Sequence, residues 1–234
     1  MIEFDGVSKT FGAGHVAVDA LSNITLTVSS GELVAVMGPS GSGKTTLLSI
    51  AGGLETCSAG TVRVDGVDLT TMTWDERAHL RLRSVGYVFQ ELNLLPGLTA
   101  GENVAFPLEL AGARAAASQG AAQEQMAELG VGDLSDRFPD DLSGGERQRI
   151  AIARALIGDR CVVLADEPTG ALDSVNGEQV MRILRRACEG GVAGMVVTHD
   201  AQLAAWAHKV VFLRDGRIVD ETAPAALDRV DPVA

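Results

Sequence analysis

The chain has 234 residues, enough for one large domain or one domain with an inserted lobe, and 46% are hydrophobic against 21% charged, which excludes a disordered chain. Aromatics make up only 4%, so Val, Leu, Ile and Ala must fill the core. The formal charge of −12, from 19 basic and 31 acidic residues with no basic stripe, argues against a nucleic-acid partner.

In chain order, MIEFDGVSKTF has no basic segment leading into an apolar run, so no signal peptide is expected. Alternation predicts strands over 2–8 and 23–28, with a turn at Gly12–Gly14. Leu33–Met37 is a continuous apolar run that suits a strand buried on both faces of a parallel sheet. A glycine-rich turn follows, then TTLLSIAGGL as a helix. Strands are predicted at Thr61–Val64 and Val85–Phe89, with a turn at Asp65–Gly66 and a polar helix near 74–83 between them.

Residues 99–130 are rich in Ala, Glu, Gln and Leu and predict helices interrupted at Pro107, Gly112 and Gly120. A helix is expected over 144–157 and another near 176–189. Cys161–Ala165, Gly194–Thr198 and Val210–Leu213 predict further strands, and residues 214–217 a hairpin turn into Ile218–Glu221. The pattern is α/β with a mainly parallel sheet, a small antiparallel layer at the N-terminus and an inserted helical lobe. The expected division is one domain, 1–234, with 1–90 and 158–234 as core and 91–157 as lobe. The apolar runs are too short to span a bilayer, so the chain is not expected to cross a membrane alone. Cys57, Cys161 and Cys188 have no metal or redox spacing and are expected to be reduced thiols.

Residues 38–46 read GPSGSGKTT and match G-x-x-x-x-G-K-[ST] between a buried strand and a helix. Gly38, Pro39, Ser40, Gly41, Ser42 and Gly43 would let backbone N–H groups close around phosphate oxygens, at the positive end of the following helix. Lys44 supplies a cation to the β- and γ-phosphates of a nucleoside triphosphate, and Thr45, with Thr46 beside it, a hydroxyl to Mg²⁺. Residues 162–168 read VVLADEP and deliver two carboxylates to a strand end, where ligands of open α/β sheets bind. Asp166 is the candidate metal carboxylate. Glu167, expected to point elsewhere by strand alternation, is the candidate for aiming or deprotonating the attacking water.

Residues 142–149 read LSGGERQR and open a helix. Ser143, Gly144 and Gly145 make a second anion site at a helix start, followed by Glu146. One chain thus carries two phosphate-binding helix termini, whereas one nucleotide needs only one. LSGGERQR resembles the signature motif of ABC ATPases. That resemblance implies a P-loop, RecA-like core and head-to-tail pairing with a second copy, the signature of one subunit contacting the γ-phosphate of its partner's ATP.

Further positions carry the resemblance. Gln90 in YVFQ is similar to the family's Q-loop glutamine, which contacts Mg²⁺ and γ-phosphate. Asp173 in GALD looks like the residue that crosses the dimer interface, and His199 in VVTHD like the switch histidine. His15, His79 and His208 form no metal set with it. Phe11 matches the aromatic that stacks on adenine, with Val18 expected against the base. The stretch FQELNLLPGLTAGENVAFPLELAG looks most like the lipoprotein-release, macrolide-export and FtsE-like group.

The resemblance implies ATP hydrolysis coupled to a membrane permease, FtsX/MacB-like, at the cytoplasmic face of the plasma membrane. The acidic surface suits basic cytoplasmic loops of such a partner, and Leu94, Leu95 and Leu98 are expected to line its docking groove. An FtsE-like regulator that transports nothing is the alternative. A ribosome- or DNA-acting ABC ATPase is disfavoured by the single ATPase unit, and a GTPase by the lack of Asn-Lys-x-Asp. No extra C-terminal regulatory domain is expected beyond residue 230.

Overall fold

The computed structural model describes residues 1–170 and 174–223. In chain order it has β1 Ile2–Phe11, β2 Val18–Val28, β3 Leu33–Met37, α1 Lys44–Ala51, β4 Ala59–Val64, β5 Val67–Asp68, α2 Trp74–Ser84, β6 Val85–Val88, α3 Ala100–Leu110 and α4 Ala115–Glu128. Then follow α5 Gly144–Leu156, β7 Val162–Asp166, α6 Ser174–Glu189, β8 Ala193–Val197, α7 Ala201–Ala204, β9 Lys209–Arg214 and β10 Arg217–Thr222.

Two sheets form, in the orders β2-β1-β4-β5 and β10-β9-β3-β8-β7-β6. The first is antiparallel throughout. The second is parallel except for the β9–β10 hairpin at its edge. The apolar runs are explained by burial on both faces. Val34, Val36, Val162 and Leu164 join the core under α1 and the small sheet. Leu33, Ala35, Val163 and Ala165 join the core on the opposite face, with residues of α5, α6 and α7. A third core holds Val104 and Ala105 of α3, Met126 of α4, and Ile150 and Ala153 of α5. Helix α5 is therefore shared: its Ile152 and Ala155 pack on the sheet while Ile150 and Ala153 face the helical lobe.

Of the three expected helix breakers, only Gly112 breaks a helix. Pro107 lies inside α3, and Gly120 inside α4. Pro in a helix interior costs about 3 kcal/mol; burial of Val104 and Ala105 one turn before it offsets this. Gly120 costs about 1 kcal/mol relative to Ala and sits among alanines with open space around it. The short strand β5 and helix α7 carry too little periodicity to be expected.

Gly86 in β6 shows how closely α5 meets the sheet. A Cβ there would collide with the carbonyl oxygen of Ala155. Gly86→Ala should therefore lower stability by about 1–3 kcal/mol, seen as a lower urea midpoint.

Candidate nucleotide site

The loop between β3 and α1 curls because its glycines leave no room for side chains. A Cβ at Gly38 would strike the carbonyl oxygen of Leu213, and one at Gly43 that of Ala20. Gly43 caps α1, so the helix starts at Lys44 with its first-turn N–H groups aimed into the loop. Lys44 Nζ donates to the carbonyls of Gly38 and Pro39, both at 2.9 Å. Ser42 is buried beneath the loop.

This loop forms one wall of a cavity of about 740 Å³. Of the expected residues, Val18, Gly38, Ser40, Gly41, Gly43, Lys44, Thr45, Thr46, Gln90, Asp166, Glu167 and His199 line it; Pro39, Ser42 and Phe11 do not. Phe11 pairs with Val18 across the β1–β2 ladder and lies 40% exposed, its ring 4.7 Å from Lys9 Nζ. Asp19 and Glu91 also line the cavity and were not expected. Asp19 is held by the Thr10 hydroxyl at 2.7 Å. Only the β1–β2 register, which the alternation leaves open, brings Asp19 to Thr10.

Asp166 ends β7 almost buried, and the Thr45 hydroxyl donates to its Oδ1 at 3.4 Å. Burial pushes its carboxyl above the usual range, the Thr45 hydrogen bond works against this, the Glu167 charge adds to the rise and Lys44 opposes it. Strand alternation does not orient Glu167, because β7 stops at Asp166. Glu167 instead takes a left-handed backbone, φ 45°, while its N–H remains bound to the Val197 carbonyl. Its Oε2 meets Nδ1 of His199 at 2.9 Å. The carboxylate side is 16% exposed and the imidazole 74%, so a partly enclosed acid is met by a ring at the cavity mouth. That pairing was not expected, since the two residues come from different strand ends.

Ser143 caps α5. Its hydroxyl accepts from Glu146 N–H at 3.3 Å, while its own N–H donates to Glu146 Oε2 at 2.7 Å. The Ser143 hydroxyl and N–H hold the Glu146 carboxyl below its usual range. The capping box leaves the N–H groups of Gly144 and Gly145 without helical acceptors. None of Ser143, Gly144, Gly145 and Glu146 lines the cavity. Asp173 lies outside the described residues.

The sequence profile of a family described as ABC transporter matches residues 21–170. The chain belongs to the ABC transporter family. It is similar to the macrolide export ATP-binding/permease protein MacB of Brucella abortus, 46% identical over 222 residues, which are 95% of this chain and 34% of that protein. MacB of Neisseria meningitidis serogroup B is 42% identical over 223 residues, 95% of this chain and 35% of that protein. The chain thus spans about a third of the length of the curated relatives it matches. The ATP-binding cassette MJ0796, solved as a dimer in a post-hydrolysis state bound to ADP and Pi, matches with a TM-score of 0.88 and 37% identity, covering 96% of this chain and 99% of that one. A second dimeric structure of the same cassette matches equally well at 38% identity.

As an ABC cassette, the chain binds ATP and is an ATP hydrolase, and the cavity's chemistry suits both. A glycine-lined turn, a helix start and one lysine meet anionic phosphate. The donors also fit Mg²⁺: a hydroxyl and a carboxylate stand side by side, both hard oxygens. Among the described residues no group of three or more His, Cys, Asp or Glu could hold a metal by itself. Mg²⁺ at such sites takes one or two protein groups and completes its shell with water and substrate phosphates.

A second cavity of about 350 Å³ opens between α2, β6, α3 and α5. Its apolar lining includes Tyr87, Phe89, Pro107 and Leu110, with Arg81, Arg154 and Arg160 around it. Leu94, Leu95 and Leu98 do not line it; Leu94 packs into the lobe core instead. Among the described residues no helix is long and apolar enough to cross a membrane.

Proposed function

We propose that this cassette works as a head-to-tail pair, each ATP lying between Gly38–Thr46 of one copy and Ser143–Gly145 of the other. The observation that carries this is the separation of the two anion-binding helix starts. Lys44 lines the large cavity while the Ser143 cap of the same chain does not, which suits a cap brought to it by a second copy. The dimeric state of the matched cassette structures supports the same arrangement.

In this reading Lys44 and the loop N–H groups hold the phosphates. Thr45, Asp166 and Gln90 hold Mg²⁺, which when bound neutralises charge on the phosphate oxygens. Glu167 accepts the proton of the attacking water, and His199 fixes the carboxylate and reaches the γ-phosphate. Phe11 with Val18 receives the adenine. The groove beside Phe89 and Pro107 takes a helix of an FtsX/MacB-like permease, to which hydrolysis is coupled for export or lipoprotein release. The cassette then sits on the cytoplasmic face of the membrane through that partner. The names of the relatives, which join ATP-binding and permease functions, support this.

Ser143→Ala tests the pairing. Turnover should fall on the order of a hundredfold, as when one preorganised phosphate donor is lost. ATP affinity of the monomer should stay unchanged in equilibrium binding at low protein concentration. A Ser143 variant whose monomer cannot bind ATP would show that the cap serves its own chain and refute the paired site.

A further inference from the structure

Residues 90–99 connect the cavity to the helical lobe, and the side chains of Asn103 and Arg154 grip this stretch from other elements. Asn103 of α3, fully buried, accepts from the Leu95 N–H at 2.8 Å and donates to the carbonyls of Leu95, Leu98 and Thr99 at 3.0, 3.1 and 3.0 Å. Arg154 of α5 holds the beginning. Its Nη1 donates to the Asn93 carbonyl at 2.6 Å and its Nη2 to the Leu92 carbonyl at 2.5 Å.

Those two carbonyls belong to consecutive left-handed residues, Leu92 at φ 61° and Asn93 at φ 48°. A non-glycine residue resists this conformation, and two in a row persist only where the surroundings impose them. Local bonds from Leu92 N–H to Phe89 and from Asn93 N–H to Glu91 close the turn but leave both carbonyls pointing outward. Arg154 collects them with a planar fork. Burial lowers its pKa, and the partners that meet its charge are carbonyls, not a carboxylate. A half-buried guanidinium spent on two backbone carbonyls is costly, and the loop it grips accounts for its placement.

Gln90 lies two residues before Leu92 and lines the cavity. Ser143 lies eleven residues before Arg154 on the same helix, about 16 Å at 1.5 Å per residue. Helix α5 packs into both the lobe core and the sheet-face core, so its two ends move together. We propose that Arg154 is a positioning residue for Gln90: its grip on the Leu92 and Asn93 carbonyls ties the Gln90 loop to the helix that carries the second anion site. An anion held at the Ser143 end and Mg²⁺-ATP in the cavity then bias one another through one rigid element.

The inference rests on Gln90 contacting Mg²⁺ and the γ-phosphate, so the test carries both residues. In the full chain with Glu167→Gln, where turnover is suppressed, affinity for a fluorescent ATP analogue is measured with and without Mg²⁺. Gln90→Ala should lower the gain in affinity that Mg²⁺ confers. Arg154→Met keeps the apolar stem without donors, and should lower that gain by on the order of tenfold through displacement of Gln90, while Mg²⁺-free affinity holds. Arg154→Lys, a point charge in place of a fork, should fall between.

Adding Arg154→Met to Gln90→Ala should cost nothing further, because both remove the same contact. If Arg154→Met leaves the Mg²⁺ gain intact, or lowers it equally with and without Gln90, Arg154 does not act through Gln90 and the inference is overturned. If Gln90→Ala leaves the gain intact, the reading of Gln90 itself fails and takes the inference with it. Should Arg154→Met not fold, Arg154→Lys decides by the same comparison.

Discussion

Replacing Glu167 by Gln should lower turnover by about 10²- to 10⁴-fold while ATP binding persists. Glutamine has the same shape and can still meet Nδ1 of His199, which now stands 2.9 Å from Oε2. The left-handed backbone at 167 and the N–H bond to Val197 do not depend on the side chain's charge, so its direction should hold. What is lost is an acceptor for the proton of water. Removing a negative charge beside bound phosphates should leave binding no weaker. ATP should then hold the variant as a closed dimer, visible by size exclusion as an ATP-dependent shift. Steady-state ATPase with equilibrium binding separates the effects, and near-normal turnover would sink the assignment of Glu167 as base.

Lys44→Ala should act on binding itself, weakening ATP affinity by roughly ten- to a hundredfold. A hydrogen bond to a charged group contributes about 1.5–3 kcal/mol, and each 1.4 kcal/mol is a factor of ten. Among the described residues that line the cavity Lys44 is the only lysine or arginine, and the lining also holds Asp19, Glu91, Asp166 and Glu167. Its loss removes the one ammonium that offsets these carboxylates around the bound phosphates. The ammonium also bridges the carbonyls of Gly38 and Pro39, so some loop order should go with it. Calorimetric titration with ATP reads the affinity, and thermal melting without ATP checks that the fold survives. Unchanged affinity would contradict the role given to Lys44.

Much of the fold was legible because burial writes a simple pattern. Strands β3, β7 and β8 are apolar at nearly every position since both of their faces are covered. The helix start at Ser143 was legible because its cause lies within three residues, and the structure closes it as a capping box with Glu146. Pro107 misled because a breaker reports local cost and not the burial around it. Glu167 was expected in the right place for the wrong reason: alternation presumes that the strand continues, and β7 ends one residue earlier.

The sequence by itself determined the elements whose cause is local: the phosphate-binding turn, the capped start of α5, the buried strands and the carboxylates at the end of β7. Each is set by residues within a few positions of one another. Only the tertiary structure decided which of these meet. Thr45 and Asp166 touch across 121 positions, Glu167 and His199 across 32, and Arg154 reaches Leu92 across 62. It also kept the Ser143 cap out of the cavity that holds Lys44. Such meetings depend on strand order and helix packing, which pairwise spacing along a chain does not encode.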